Sequence, residues 1–190
     1  MKLLQIDSSI LGDQSASRTV TREIVARWKQ AVPDLEVEHL DLVARELPHL
    51  TGHHLAQMQV PESRDSQTLA DFLAADVVVI GAPMYNFTIS TQLKSWIDRV
   101  VVAGKTFKYG PQGPEGLVHG KRVIIAISRG GVYPENAPFE HAESYLKIIF
   151  GFIGVTDVTF VRAEGLQLSP DHRQKSLTAA LAAIPAAKAA

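Results

Sequence analysis

The 190-residue chain contains no cysteine. That excludes thiol nucleophiles, cysteine-ligated zinc and iron–sulfur clusters, and it suits a reducing compartment. Charge of one sign is also missing. Lys and Arg number 19 against 20 Asp and Glu, a formal net charge of −1, so nothing draws the protein as a whole to nucleic acid or an anionic membrane. No apolar run approaches the ~20 residues that span a bilayer. The first residues pass straight into Lys2-Leu3-Leu4-Gln5-Ile6, without the basic region, apolar core and cleavage site of a leader. A soluble, cytoplasmic protein is expected. Hydrophobic residues at 46% and charged residues at 21% are ordinary for a globular chain. The length fits a single domain over 1–190, large enough to bury a core without cross-links.

What the chain does have is a strong alternation of short apolar strands and amphipathic helices. Its centre is Asp76-Val77-Val78-Val79-Ile80-Gly81-Ala82-Pro83, too apolar to have a wet face, as in a central strand of a parallel sheet. Pro83 cannot donate to a sheet ladder and should end the strand. Before it come a strand over 3–6, a helix over 18–31 capped by Ser17, and a strand over 35–40 suited to a sheet edge. Residues 44–66, with Pro48 and Pro61, read as an irregular excursion, mobile or packed on a partner, before a helix over 66–75. After the central strand, Ser90 caps a helix over 91–103. Residues 106–117 form a Gly- and Pro-rich ordered excursion. A strand over 122–128, a helix over 137–153, a strand over 158–163, a helix over 170–184 and a frayed tail over 185–190 complete the chain. Five strands separated by helices imply an α/β fold in three layers, α/β/α. The leading topology is a doubly wound, flavodoxin-like five-stranded parallel sheet with order 2-1-3-4-5.

In that order the first, third and fourth strands are neighbours, and the loops that follow them are unusual. Residues 8–17 carry Ser9, Ser15 and Ser17 and open a helix at Ala16 and Ser17, which suits a phosphate or simply a capped turn. Neither a Walker glycine–lysine pattern nor G-x-G-x-x-G is present, which disfavours triphosphate hydrolysis and a tightly held dinucleotide. Met84, Tyr85, Asn86 and Phe87 offer a flat apolar surface and one amide. Ordinary core packing accounts for Met84 equally well. Ser128, Arg129, Gly130 and Gly131 allow close backbone approach or positive φ angles, and exposed N–H groups there would stabilise negative charge on a ring. Arg129 also reads as a surface cation.

Together, Asp7-Ser8-Ser9, Ser15-Ala16-Ser17, Ala82-Pro83-Met84-Tyr85-Asn86-Phe87, Gly113-Pro114-Glu115-Gly116-Leu117, Ser128-Arg129-Gly130-Gly131 and Gly151-Phe152-Ile153-Gly154 resemble the bacterial FMN-dependent NADH azoreductases, members of the flavodoxin-like quinone reductases. The resemblance implies FMN as bound cofactor and NADH as electron donor. It also implies ping-pong reduction of quinones, reductive cleavage of aromatic azo bonds and a homodimer with the flavin near the interface. It assigns Ser9, Ser15, Ala16 and Ser17 to the phosphate and ribityl chain, 84–87 to the isoalloxazine and 128–131 to its polar edge. Tyr109 and Phe152 fall near the ring or the partner's site, and Tyr133 stands where some relatives carry His. No side chain is nominated as an obligatory catalytic acid or base, because the cofactor carries the chemistry.

An electron-carrier flavodoxin that does not itself oxidise NADH is the main alternative, and a non-enzymatic interaction module is a second. His39, His49, His53 and His54 lack metal-ligand spacing, so no metal is expected, and Met58 lies in the same excursion as the last three. Lys94, Arg99, Lys105 and Lys108 suggest a basic strip diluted by Asp98, too weak for nucleic-acid binding.

Overall fold

A computed structural model describes residues 1–57, 64–134 and 137–187. Five parallel strands form the sheet: β1 (Lys2–Asp7), β2 (Glu36–Asp41), β3 (Val77–Pro83), β6 (Arg122–Ser128) and β7 (Asp157–Ala163). Their spatial order is β2-β1-β3-β6-β7, the doubly wound order expected, with β2 at one edge. The remaining two strands, β4 (Phe107–Gly110) and β5 (Gly113–Gly116), make an antiparallel hairpin. The six helices among the described residues are α1 (Ala16–Ala31), α2 (Gly52–Gln57), α3 (Arg64–Ala74), α4 (Thr91–Val100), α5 (Glu143–Phe152) and α6 (Pro170–Ala182).

Every residue of β3 is buried, because successive side chains point to opposite faces and both faces are covered. Val78 and Ile80 join Leu4, Ile6, Val123 and Ile125 beneath α3, α4 and α5, where Phe72 meets Trp96 edge-to-face at 5.6 Å. Val77 and Val79 join Leu3, Ile124 and Val161 beneath α1 and α6, where Val20, Ile24 and Trp28 fill the space. The burial of such side chains, about 1.5–3 kcal/mol each, fixes the register of the central strands. Gly81 pairs with Asp7 in the β1–β3 register, and a Cβ there would lie 2.8 Å from Asp7 Oδ1.

Several boundaries differ from those expected. Helix α1 starts at Ala16, and its N-cap is Ser15, whose hydroxyl accepts from Arg18 N–H. Ser17, expected as the cap, lies inside the first turn. The helix expected over 137–153 begins only at Glu143. The Glu140 carboxylate accepts from the N–H groups of Ala142, Glu143 and Ser144 at 3.0, 2.8 and 3.2 Å. It therefore satisfies the helix's first donors from outside and holds 137–142 in a turn. The excursion over 106–117 is the β4–β5 hairpin, pinned where Gly116 meets Gly154 so closely that any Cβ on Gly116 would overlap backbone. Within 44–66, α2 is a short helix and α3 starts two residues before the expected Ser66. Met58 and Pro61 lie outside the described residues, as does the end of the tail, 188–190. No helix among the described residues is long and apolar enough to cross a membrane.

Candidate active site

The parallel strands carry the three unusual loops to one end of the sheet. β1 and β6 flank β3, so at the ~4.8 Å strand spacing their carboxyl ends lie about 10 Å apart.

The first loop is built on Arg18. Its guanidinium grips Asp41 through two hydrogen bonds of 2.7 and 2.8 Å and donates to the Ser9 carbonyl at 2.9 and 3.2 Å. The Arg18 hydrogen bond pulls the Asp41 carboxyl down to about 2, against a smaller upward push from burial. This bridge ties loop 8–17 to the end of β2. Ser15 Oγ and Ser17 Oγ lie 3.1 Å apart, and Ser9 Oγ reaches the Tyr85 hydroxyl at 3.2 Å, so the first and second loops touch. Ala16 and Ser17 are only 4% and 1% exposed, yet their N–H groups find no acceptor among the described residues. Buried orphan donors at a helix start call for an anion.

In the second loop, Tyr85 and Thr88 exchange backbone hydrogen bonds of 2.9 and 3.1 Å across Asn86 and Phe87. Both central residues have positive φ, 48° and 70°. Asparagine tolerates that region; a phenylalanine there is strained by about 1–2 kcal/mol. The turn is held from outside by His141 N–H, which donates to the Phe87 carbonyl at 2.9 Å, and by the Phe87–Phe139 ring contact at 6.2 Å. Strain maintained by neighbouring contacts is characteristic of ligand clamps. Met84 packs partly on the core, while its N–H donates to the Ser128 carbonyl at 2.8 Å and joins the second loop to the third.

In the third loop the glycines take the first of the two roles open to them, and Arg129 departs from the surface-cation reading. Neither Gly130 nor Gly131 has positive φ. Their value is close approach: a Cβ on Gly130 would stand 2.9 Å from Gln167 Cγ. The carbonyls of Arg129, Gly130 and Gly131 accept from the N–H groups of Leu166, Gln167 and Gly165 at 3.1, 3.0 and 2.8 Å. The N–H groups of Gly130 and Gly131 have no acceptor among the described residues. Arg129, in turn, is not a surface cation. It is 4% exposed and pairs with Glu164, Glu143 and Glu140 at 2.7, 2.9 and 3.2 Å. Burial would raise the Glu143 carboxyl, but Arg162 and Lys147 hold it at about 2. This cluster lines a cavity of ≈ 590 Å³ beside the third loop, together with Tyr133 and His141. Sequence reading missed Glu143 altogether, since a glutamate in a helix's first turn carries no spacing signal.

Tyr109 and Phe152 go elsewhere. Phe152 packs on Phe107 at 4.6 Å, and Phe107 meets Tyr109 edge-to-face at 5.5 Å. Tyr109 lies on the hairpin, which joins the chain between the end of α4 and the start of β6, and Phe152 closes α5 just before β7, so both sit toward the amino ends of the strands, away from the three loops. The basic strip is diluted by Asp98, as expected, and by more than Asp98. Arg99 is buried, Lys94 pairs with Asp98, and Lys108 pairs with Glu115. His39 is bonded to buried Asp7 at 2.9 Å rather than grouped with His53 and His54.

Two pairs of orphan N–H donors, one at a helix start and one on a Gly-Gly loop, flank a strained aromatic turn across a doubly wound switch point. They fit the phosphate and the polar ring edge of a flavin mononucleotide, and the class so defined is flavodoxin-like. The flavodoxin-like fold family (Flavodoxin_2) matches residues 1–187. The FMN-dependent NADH:quinone oxidoreductase 2 of Bradyrhizobium diazoefficiens is 55% identical, covering 100% of both chains. Among solved structures, an azoreductase from Bacillus anthracis str. Sterne superposes with a TM-score of 0.85 at 32% identity, covering 96% of this chain and 95% of that one. An FMN-dependent NADH-azoreductase from Bacillus anthracis str. Ames Ancestor, solved in complex with FMN, gives a TM-score of 0.82 at 25% identity, covering 97% and 98%. The chain belongs to the FMN-dependent NADH:quinone oxidoreductase and azoreductase family.

Proposed function

We propose that this protein is an FMN-dependent NADH:quinone oxidoreductase that also cleaves aromatic azo compounds. The observation that carries the reading is the pair of orphan donor sets, Ala16–Ser17 and Gly130–Gly131, on loops that follow β1 and β6 on either side of β3 and its Tyr85–Thr88 turn. When bound, FMN supplies the redox chemistry, taking a hydride from NADH and handing two electrons to the acceptor. The chain's own residues bind and orient. The N–H groups of Ala16 and Ser17, with the Ser15 and Ser17 hydroxyls, hold the phosphate at the positive end of α1. Ser9 anchors the neighbouring turn to Tyr85. Met84, Tyr85, Asn86 and Phe87 form the wall against the ring, and the N–H groups of Gly130 and Gly131 meet its polar edge, with Ser128 and Arg129 setting that loop. Tyr133 borders the acceptor's space.

The same reading makes the protein a cytoplasmic homodimer of one-domain subunits. A second copy would cover the groove between α2, α4 and α5, where Leu55, Ile97, Val101 and Ile149 line ≈ 490 Å³. Tyr109, 76% exposed at the end of the molecule remote from its own crevice, then has a partner's crevice to border, with Phe152 behind it. Initial rates at several fixed quinone concentrations test the assignment. Parallel double-reciprocal lines against NADH are expected. A protein that takes up FMN but does not oxidise NADH at all would be an electron carrier instead.

A further inference from the structure

We propose that Glu143 is a positioning residue: through Arg129 it holds the Gly130 and Gly131 N–H groups where they stabilise the reduced flavin more than the oxidised one. The proposal rests on the flavin reading above. Glu143 stands in the first turn of α5, whose Leu146 and Phe150 are fully buried, so its carboxylate is tied to the rigid core. One oxygen accepts from Arg129 Nη2 at 2.9 Å and Arg162 Nε at 2.8 Å. The other accepts from Arg162 Nη2 at 2.5 Å and Lys147 Nζ at 2.8 Å. The other two carboxylates on Arg129 are less able to anchor it. Glu140 is occupied by three backbone N–H groups of the α5 start, and Glu164 lies on the loop after β7, with its side chain 24% exposed.

Each of these ion pairs joins a cation to a carboxylate, so the part Glu143 plays toward the third loop is to fix Arg129 in place. The carbonyls of 129–131 are all tied to 165–167. With Arg129 clamped as well, the two orphan N–H groups have little freedom to turn away. Fixed donors favour the form that carries more negative charge on the ring's polar edge, which is the reduced form, because preorganised dipoles need not reorient as charge develops.

The test is the midpoint potential of FMN bound to Glu143→Gln, with the Kd for oxidised FMN measured beside it. Positioning predicts an oxidised-FMN Kd within about threefold of wild type and roughly tenfold weaker relative binding of reduced FMN. For a two-electron couple that lowers the potential by about 30 mV. Loss of a negative charge acting through space would raise the potential instead. A purely structural role would weaken both forms equally and leave it unchanged. Either of those results overturns the proposal. Arg129→Lys, which keeps the charge but loses the fork, should lower the potential likewise, and it decides the matter if Glu143→Gln does not fold. Lys147→Ala, which removes an outer ion pair without touching Arg129, should leave it unchanged. Wild-type protein that binds no FMN would refute the flavin reading itself, whereas a bound flavin with an unshifted potential in both variants refutes only the positioning.

Discussion

Asp41→Asn removes the charge that anchors Arg18, and the structure sets how much that should cost. The Asp41 carboxyl falls from 3.8 to about 2, chiefly through its hydrogen bond to Arg18. A tenfold change in a group's proton affinity corresponds to about 1.4 kcal/mol, so the ionised carboxylate contributes on the order of 2 kcal/mol at neutral pH. A depressed carboxylate stabilises the fold only while it is ionised. The stabilisation is complete above the ordinary carboxylate range, drops to about half by pH 3 and is lost as pH falls through the folded-state value. Urea unfolding of FMN-free wild type and Asp41→Asn at pH 7 and pH 3 measures it. The gap should be on the order of 2 kcal/mol at pH 7 and about half that at pH 3. An equal gap at both values would refute the reasoning, because the loss would then owe nothing to ionisation. The variant should also bind FMN more weakly, since Arg18 is what holds the Ser9 carbonyl.

Three other substitutions probe separate parts of the site and the sheet. Gly81→Ala would set a methyl group 2.8 Å from Asp7 Oδ1 inside the sheet, and thermal unfolding should show a loss of about 1–3 kcal/mol. Phe87→Gly relieves the positive φ at 70°, a gain of about 1–2 kcal/mol set against about 1 kcal/mol of added chain entropy and the lost Phe139 contact; the FMN-free protein should unfold within about 1 kcal/mol of wild type, while FMN affinity falls for want of the ring wall. Asn86→Ala, at the turn's other positive-φ position, should lose FMN affinity and the rate of flavin reduction together. If both are unchanged in a stopped-flow comparison, the amide has no part in the site.

The doubly wound sheet was legible because each buried strand is a continuous apolar run and each covering helix repeats its apolar residues at three and four. The convergence of 8–17, 84–87 and 128–131 followed from strand order alone. What stayed hidden depends on contacts distant in sequence. Nothing local reveals that Glu140 satisfies the first turn of α5 from outside, or that Arg129 is claimed by glutamates 11, 14 and 35 residues away. Of the two roles open to Gly130-Gly131 the structure uses close approach, and the positive φ lies instead at Asn86 and Phe87, where the Phe87 carbonyl and ring are held by His141 and Phe139. Propensity alone would not place a phenylalanine there.

A crevice of this kind should hold a flavin able to exchange electrons with both NADH and a quinone. The most direct test is an anaerobic titration of the FMN-loaded protein, followed in the visible. One equivalent of NADH per flavin should bleach the oxidised band rapidly, and one equivalent of benzoquinone added afterwards should restore it. A bound flavin that NADH leaves coloured, or that quinone fails to reoxidise, would contradict the account.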